Sequence, residues 1–189
     1  MSTPGDAVRA VLAAYREVMN ASWPQLHPAM AKRASHWTFA REDELRAELQ
    51  GYLKDASAPT SPVRVFWKIG PKFLFGGCNE HFAHDAGLGN AAELIGLDDY
   101  SPKLPWRAQA AKYRADDKEV YEKGLANLDI LERQTSGTGA VQWVRVGKTP
   151  IRTAAGEVIG ILGMYELLDE KQAQKLFFER SKSGGEKKG

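Results

Sequence analysis

The sequence predicts an α+β domain with a five-stranded antiparallel sheet and short flanking helices, preceded by an N-terminal helical region. Two observations predict this class. Short runs rich in β-branched and aromatic residues occur as a pair after residue 62 and as a group of three after residue 124, and the hydrophobic spacing between them is helical. Because the strands and helices are segregated along the chain, the sheet is expected to be antiparallel.

The first segment, residues 1–56, is predicted to be helical. DAVRAVLAAYREVMN and REDELRAELQGYLKDA both place apolar residues three and four positions apart, which gives each helix one apolar face. The Ser/Pro/Thr-rich segment SAPTSP, residues 57–62, follows as a linker. The main domain is predicted over residues 63–170, and residues 171–189 are expected to form a C-terminal helix and a disordered tail.

The strands of the main domain are read from five runs. VRVFWKI and KFLFGG are joined by a Gly-Pro turn, which predicts a hairpin. LANLDILERQ, VQWVRVGKTPI and EVIGILGMYEL are separated by Gly-rich turns. A central helix is expected from about Pro105, a suitable first helical residue, to Gly124, a suitable C-cap.

The stretch GGCNEHFAHDAGLG contains the chain's one cysteine and two of its four histidines. On a helix, Cys78, His81 and His84 spread over about 120°, which is wide for one metal ion. Asn79 is a good N-cap, and an apolar inner side would leave both histidines toward solvent, with His81 close to Asp85. A solvated helix face is the favoured interpretation. GLGNAA lacks the preceding strand that a dinucleotide loop needs, and no catalytic motif occurs, so no enzyme is predicted.

Composition narrows the partners and the compartment. Lys and Arg number 26 against 24 Asp and Glu, and they alternate, so no basic face is evident and no nucleic acid partner is expected. No apolar run approaches the roughly 20 residues of a membrane helix, and no secretory signal is evident at the start. We therefore expect no membrane association and a cytoplasmic location.

Several segments in order resemble a known family. FWKIGPKFLFGGCNEHFAHDAGL, AAELIGLDDY, LPWRAQAAKYRADDKEVYEKG and VQWVRVGKTPIRTAAGEVIGILGMYE resemble PAS domains of the sensory type found in histidine kinases and diguanylate cyclases. The resemblance covers about residues 63–170. It implies a five-stranded antiparallel sheet whose inner face and central helix enclose a small-molecule pocket. The family's usual Asp-Ile-Thr ending of the last strand reads Leu167, Leu168, Asp169 here.

The resemblance also bears on the ligand. Haem is disfavoured because the central helix has no histidine, and photoreactive flavin is disfavoured because Cys78 lies at a strand end; the cofactor is otherwise unknown. A small organic ligand remains, held by candidate residues Trp106, Tyr113, Trp143, Arg145 and Met164. The alternative interpretation makes Trp143 and Met164 core residues and pairs Arg145 with Asp117 at the surface.

Three functional hypotheses follow. The first is a cytoplasmic, bacterial-type sensor that signals through its flanking helices, a homodimer and a signalling protein partner. The second is a dimerisation or interaction adaptor without ligand, its pocket filled by Phe66, Phe73, Phe82, Trp106, Tyr113 and Trp143. The third is a haem or metal sensor that uses His27, His36, His81 or His84.

Overall fold

The computed structural model describes residues 38–39, 63–153 and 155–185. The predicted N-terminal helices and the linker lie outside the described residues. The segment before residue 63 contributes one short strand, β1, at Thr38–Phe39. Among the described residues, no helix has both the length and the apolar character needed to cross a membrane.

Five longer strands form an antiparallel sheet, as predicted. They are β2 (Arg64–Ile69), β3 (Leu74–Cys78), β4 (Asn127–Thr135), β5 (Val141–Thr153) and β6 (Val158–Leu168). Their order across the sheet is β3-β2-β6-β5-β4, and β1 pairs in parallel with the last residues of β5. The first hairpin therefore lies beside the last strand, so the sheet is complete only when both ends of the domain have folded.

Helical segments connect β3 to β4 and follow β6. They are α1 (Glu80–Asp85), two 3-10 turns (Ala91–Leu94 and Arg107–Gln109), α2 (Ala110–Lys123) and α3 (Glu170–Gly185). The helix predicted to begin near Pro105 begins at Ala110, because the preceding residues form the second 3-10 turn. It ends at Gly124, whose φ of 62° is a left-handed conformation that favours glycine.

The start of α1 is fixed by Asn79, as predicted. Its Oδ1 accepts hydrogen bonds from the Phe82 N–H at 3.2 Å and the Val65 N–H at 3.1 Å, and its Nδ2 donates to the Val63 carbonyl at 2.8 Å. One side chain thus caps the helix and ties it to the neighbouring strand. Cys78 lies before this cap at the end of β3, where burial raises the pKa of its thiol to about 12.

The alternation of side chains along β5 decides which face of the sheet meets the helices. Val144 and Val146 belong to the core beneath α1, and Lys148 reaches α2. Trp143 and Arg145 therefore lie on the opposite face. The sequence shows the two sets but not their orientation, which the contacts of Lys148 establish.

The junction between β6 and α3 carries a reciprocal cap. The Gln172 N–H donates to the Asp169 carboxylate at 2.7 Å, and the Asp169 N–H donates to the Gln172 side-chain oxygen at 3.1 Å. A defined contact thus replaces the family's Asp-Ile-Thr ending. The helix continues past Ser181 to Gly185, so part of the predicted tail is helical.

Candidate functional site

A small cavity lies between the inner face of the sheet, α1 and α2. The space open to the centres of water molecules is about 30 Å³. On this measure one water needs roughly 10–15 Å³, so the cavity as it stands has room for two or three waters.

One wall of the cavity is aromatic. Phe66, Phe75, Phe82 and Trp106 line it, and all four are buried. The Phe82 ring lies at the centre of the group, with its centroid 5.0 Å from that of Phe66 and 5.4 Å from that of Trp106. Tilted and edge-on contacts of this kind hold rings in fixed positions. The wall therefore offers a firm apolar surface to one face of a flat molecule.

A buried charge cluster adjoins the aromatic wall, with the Lys68 ammonium 4.7 Å from the Phe75 ring centroid. The Lys68 ammonium lies 2.6 Å from one carboxylate oxygen of Asp117, and the Lys148 ammonium lies 2.7 Å from the other. Lys68 is also 2.5 Å from Asp99, which accepts a hydrogen bond from the Trp106 indole N–H at 3.1 Å. These four charged residues, on β2, β5, α2 and the loop before it, are at most 2% exposed. The cluster therefore ties the central helix to two strands.

Asp117 and Lys148 stay charged through the neutral pH range. Burial alone would raise the pKa of Asp117, but Lys148 and Lys68 lower it below its ordinary value of 3.8. Burial opposes the charge on Lys148, but Asp117 raises its pKa above 10.5. Two ammonium groups face two carboxylates, so the cluster is neutral in sum.

Each buried lysine has one N–H donor that is not used in the described contacts. An ammonium group has three N–H donors. Lys68 donates to Asp99 and Asp117, and Lys148 donates to Asp117 and, at 3.4 Å, to the Tyr113 carbonyl. The third N–H of each has no hydrogen-bond acceptor among the described residues. The charged wall can therefore donate two further hydrogen bonds to a molecule in the cavity.

A second polar group lies at the β6 side of the cavity. The Tyr165 hydroxyl donates to the Asp85 carboxylate at 2.8 Å and accepts from the Gln134 amide at 3.2 Å, and Arg64 donates to the same carboxylate at 2.9 Å. Burial, followed by the charge of Asp85, raises the pKa of Tyr165 well above 10.0, so the hydroxyl stays protonated. The predicted pairing of Asp85 with His81 is wrong, because Asp85 faces inward to these partners.

Side chains of α2 and β4 close the cavity on its third side. The Lys112 ammonium lies 2.9 Å from the Glu132 carboxylate, and the Tyr113 hydroxyl donates to the Arg133 carbonyl at 2.7 Å. Burial would lower the pKa of Lys112, but Glu132 raises it. Burial raises the pKa of Tyr113. Tyr113 and Glu132 line both the cavity and a surface groove of about 550 Å³ outside it.

The predicted ligand residues fall into two groups. Trp106 and Tyr113 line the cavity. Trp143 lies by the surface groove, where the Arg133 guanidinium is 4.7 Å from its ring centroid. Arg145 and Met164 are buried away from the cavity. Contact of these residues with a ligand stays a prediction. The structure gives no support to that prediction for Trp143, Arg145 and Met164.

Two parts of the alternative interpretation have different outcomes. Met164 is a core residue, fully buried opposite Gly147 of β5. The proposed surface pair between Arg145 and Asp117 is wrong, because Asp117 is fully buried between Lys68 and Lys148.

Sequence reasoning missed most of the polar lining. The missed residues are Lys68, Asp99, Glu132, Gln134, Lys148 and Tyr165. A signal was present, because Lys68 follows Phe66, and Lys148 follows Val146, at the two-residue spacing of one strand face. A charged residue at an inward position of a strand needs a buried partner and so indicates a site.

The histidine hypothesis finds no geometric support in the described part of the chain. Across residues 63–153 and 155–185, no three His, Cys, Asp or Glu side chains are grouped so that they could hold a metal ion. His84 is exposed. His27 and His36 lie outside the described residues.

No protein-family model and no curated protein matches this chain. Solved structures do match. VqmA bound to DPO is 25% identical over 55% of this chain and 52% of that chain, with a TM-score of 0.50. The Vibrio cholera VqmA–ligand–DNA complex is 24% identical over 54% of this chain and 45% of the VqmA chain, with a TM-score of 0.50. The PAS domain of a protein from Colwellia psychrerythraea is 13% identical over 64% and 96%, with a TM-score of 0.50. The chain has a PAS-like fold. This chain spans about half the length of the VqmA chains that it matches.

The neighbours overturn one expectation. Nucleic acid was excluded as a partner, but the PAS-like domain is similar to VqmA, which has been solved with both a ligand and DNA. The exclusion rested on the balanced charge of this chain. That balance argues only against a continuous basic face.

Proposed function

We propose that the PAS-like domain is a sensor that binds a small organic molecule in the cavity between α2 and the sheet. The buried lysine pair at that cavity is the observation that carries the proposal. Buried ion pairs often contribute less stability than apolar residues of the same size would, so their presence beside a cavity favours a binding role. Two spare N–H donors beside an aromatic wall are the features of such a site.

The chemistry of the walls defines the ligand class. The charge cluster is already balanced, so an uncharged ligand leaves no unpaired charge in the interior. The third N–H groups of Lys68 and Lys148 favour a ligand with a carbonyl, hydroxyl or ring-nitrogen acceptor. The aromatic wall favours a flat ring. A neutral ring of modest size with at least one acceptor meets all three conditions.

We propose a binding role and no catalytic one. General acid–base catalysis favours a group whose pKa lies near the working pH. The pKa values of Asp117, Lys148, Tyr113 and Tyr165 are all shifted away from neutrality. The cavity therefore holds charges and hydroxyl protons in place, which supports recognition.

The output is proposed to pass through β6 and α3. Tyr165 lines the cavity on β6, and the Asp169 cap links the end of β6 to α3. A ligand that presses on β6 changes how α3 leaves the domain. Phe177 and Phe178 on α3 are 61% and 60% exposed, which suits contact between two copies of the chain. We propose a cytoplasmic homodimer that passes the signal to a protein partner.

The neighbours extend the range of outputs. VqmA forms a dimer, has a target DNA and belongs to the LuxR-type receptors. We propose that this chain acts in a pathway of the same kind, in which ligand occupancy changes the activity of a DNA-binding protein. An output through a kinase or cyclase, which the sequence resemblance suggests, stays a second prediction.

One observation favours the adaptor as the second candidate. The cavity is small because the aromatic side chains fill most of the space beneath α2. In an adaptor this packing is the final state. In a sensor it is the empty state, and the cavity widens when the ligand enters.

Mass spectrometry of the purified protein tests the proposal. Native and denatured spectra are compared for the chain alone and after incubation with DPO and with a set of neutral ring compounds. We expect an added mass that denaturation removes, together with a dimer in the charge-state series. Failure of every compound to add mass or raise the melting temperature would favour the adaptor.

A further inference from the structure

The cavity is smaller than a typical organic ligand. Its volume of about 30 Å³ admits two or three waters. A ring of the proposed size needs several times that space, so part of the wall must move before it can enter. The position of the weakest wall therefore determines the ligand's route.

The aromatic wall and the charged wall are held by contacts that resist movement. The aromatic wall consists of rings in mutual contact, with Phe82 against both Phe66 and Phe75. In the charged wall, Asp117 bonds to two lysines, and separating them would leave charges unpaired in the interior. Neither wall is a ready entrance.

The third wall is a seam in which α2 and the 3-10 turn before it meet β4, held by three side-chain contacts. They are Lys112 to Glu132, the Tyr113 hydroxyl to the Arg133 carbonyl, and the Gln109 amide to the Thr135 hydroxyl at 3.3 Å. Among the described residues, β4 pairs only with β5, so no further strand reinforces this edge.

The charged contact of the seam is the one nearest to water. The Lys112 side chain is 54% exposed, whereas its partner Glu132 is 7% exposed and lines the cavity. Gln109 adds a buried side-chain oxygen that has no hydrogen-bond partner in the described part of the chain. A half-exposed ion pair and a buried oxygen without a partner are groups that water can reach and hydrate.

The two sides of the seam are a cavity and a groove. Tyr113 and Glu132 line both the internal space and the surface groove of about 550 Å³. Both side chains therefore belong to the wall that separates the cavity from the groove. We propose that the ligand enters and leaves between α2 and β4, and that the Lys112–Glu132 ion pair is the latch of this entrance.

The inference rests on the proposed function for the ligand, but the opening itself can be measured without one. The Trp106 indole N–H donates to Asp99 inside the cavity, so its exchange with solvent reports the entry of water. Trp67 is fully buried and does not line the cavity, so its indole N–H reports other opening motions. Both signals are followed by ¹⁵N NMR, and Trp106→Phe assigns the first.

The variants separate the latch from general effects of charge. Lys112→Ala and Glu132→Gln each remove the Lys112–Glu132 ion pair, whereas Lys112→Arg keeps a cation at this position. Lys118→Ala is the matched control, because it removes an exposed i,i+4 ion pair with Glu122 from the same helix. We expect Trp106 exchange to accelerate about fivefold in the first two variants, the factor given by the upper range for a half-exposed pair. High salt should accelerate it in the wild type as well.

The outcomes distinguish the latch from the proposed function. Equal Trp106 exchange in Lys112→Ala and Lys118→Ala, or equal acceleration at Trp67, overturns the latch. Faster exchange at Trp106 alone supports it even when no compound binds, in which case the sensor proposal fails. When a compound does bind, the latch predicts faster association and faster dissociation in Lys112→Ala, with Lys112→Arg close to the wild type.

Discussion

Replacement of Asp117 by asparagine is the sharpest test of the charged wall. The carboxylate accepts hydrogen bonds from two buried ammonium groups at 2.6 and 2.7 Å. Asparagine keeps one acceptor oxygen for one lysine but turns an NH₂ donor toward the other, so one hydrogen bond to a charged group, about 1.5–3 kcal/mol, is lost together with the negative charge. Removing the charge of one partner from a buried ion pair costs about 3–5 kcal/mol. Domains are typically stable by about 5–15 kcal/mol, so the variant should be close to unfolding.

Urea unfolding at neutral pH, followed by circular dichroism, measures this change. Glu122→Gln is the control, because it removes one partner of an exposed pair at 3.7 Å and should cost at most about 1 kcal/mol. The midpoint should fall strongly for Asp117→Asn with little change in slope. A loss below about 1 kcal/mol for this variant would refute the ionised, doubly bonded state of Asp117.

The same comparison has a defined pH dependence. The lysines lower the folded-state pKa of Asp117, so its stabilisation is fully present above 3.8, the ordinary value. It is lost as the pH falls from there through the lower folded pKa. The stability difference between wild type and Asp117→Asn should therefore be level from about pH 5 to neutrality and shrink below about pH 4. A difference that stays level down to pH 2 would contradict the lowered pKa.

Three further predictions concern single positions. Lys148→Met should weaken binding of any compound that binds the wild type by about tenfold or more in calorimetry, because one donor of about 1.5–3 kcal/mol is lost; unchanged affinity would place the ligand elsewhere. Gly163→Ala should abolish that binding and lower the melting temperature, because the new Cβ collides with the Phe66 ring and pushes it toward the cavity. Cys78 should react with a thiol reagent only after unfolding, because burial raises its pKa to about 12; rapid reaction of the folded chain would show that β3 opens.

The elements of this domain were predictable because local patterns specify them. The hairpin of β2 and β3, the Asn79 cap and the Gly124 C-cap each follow from residues within a few positions of one another. The start of α2 was placed too early, because Pro105 can begin a helix but does not decide between α and 3-10 geometry in the turns that follow.

The site was less predictable because it joins residues far apart in sequence. Lys68, Asp99, Asp117 and Lys148 meet only when β2 and β5 come under α2. Large aromatic residues are natural candidates for ligand contacts, and Trp106 does line the cavity. The sequence does not say which face of β5 is inward, so it predicts Trp143, which lies at the outer groove, and misses Lys148. Lys68 and Lys148, each two residues after an apolar residue on the same strand face, indicate the site better than the aromatic residues do.

The central claim is that a small neutral ring binds in the cavity, in contact with the aromatic wall and with the buried lysines. The most direct measurement is the ¹⁵N NMR shift of the Trp106 indole during titration with DPO and a library of flat uncharged compounds. The account predicts that at least one compound moves the Trp106 signal, leaves Trp67 in place and has no effect on Gly163→Ala. A library that leaves Trp106 unmoved, or compounds that shift it equally in Gly163→Ala, would contradict the claim.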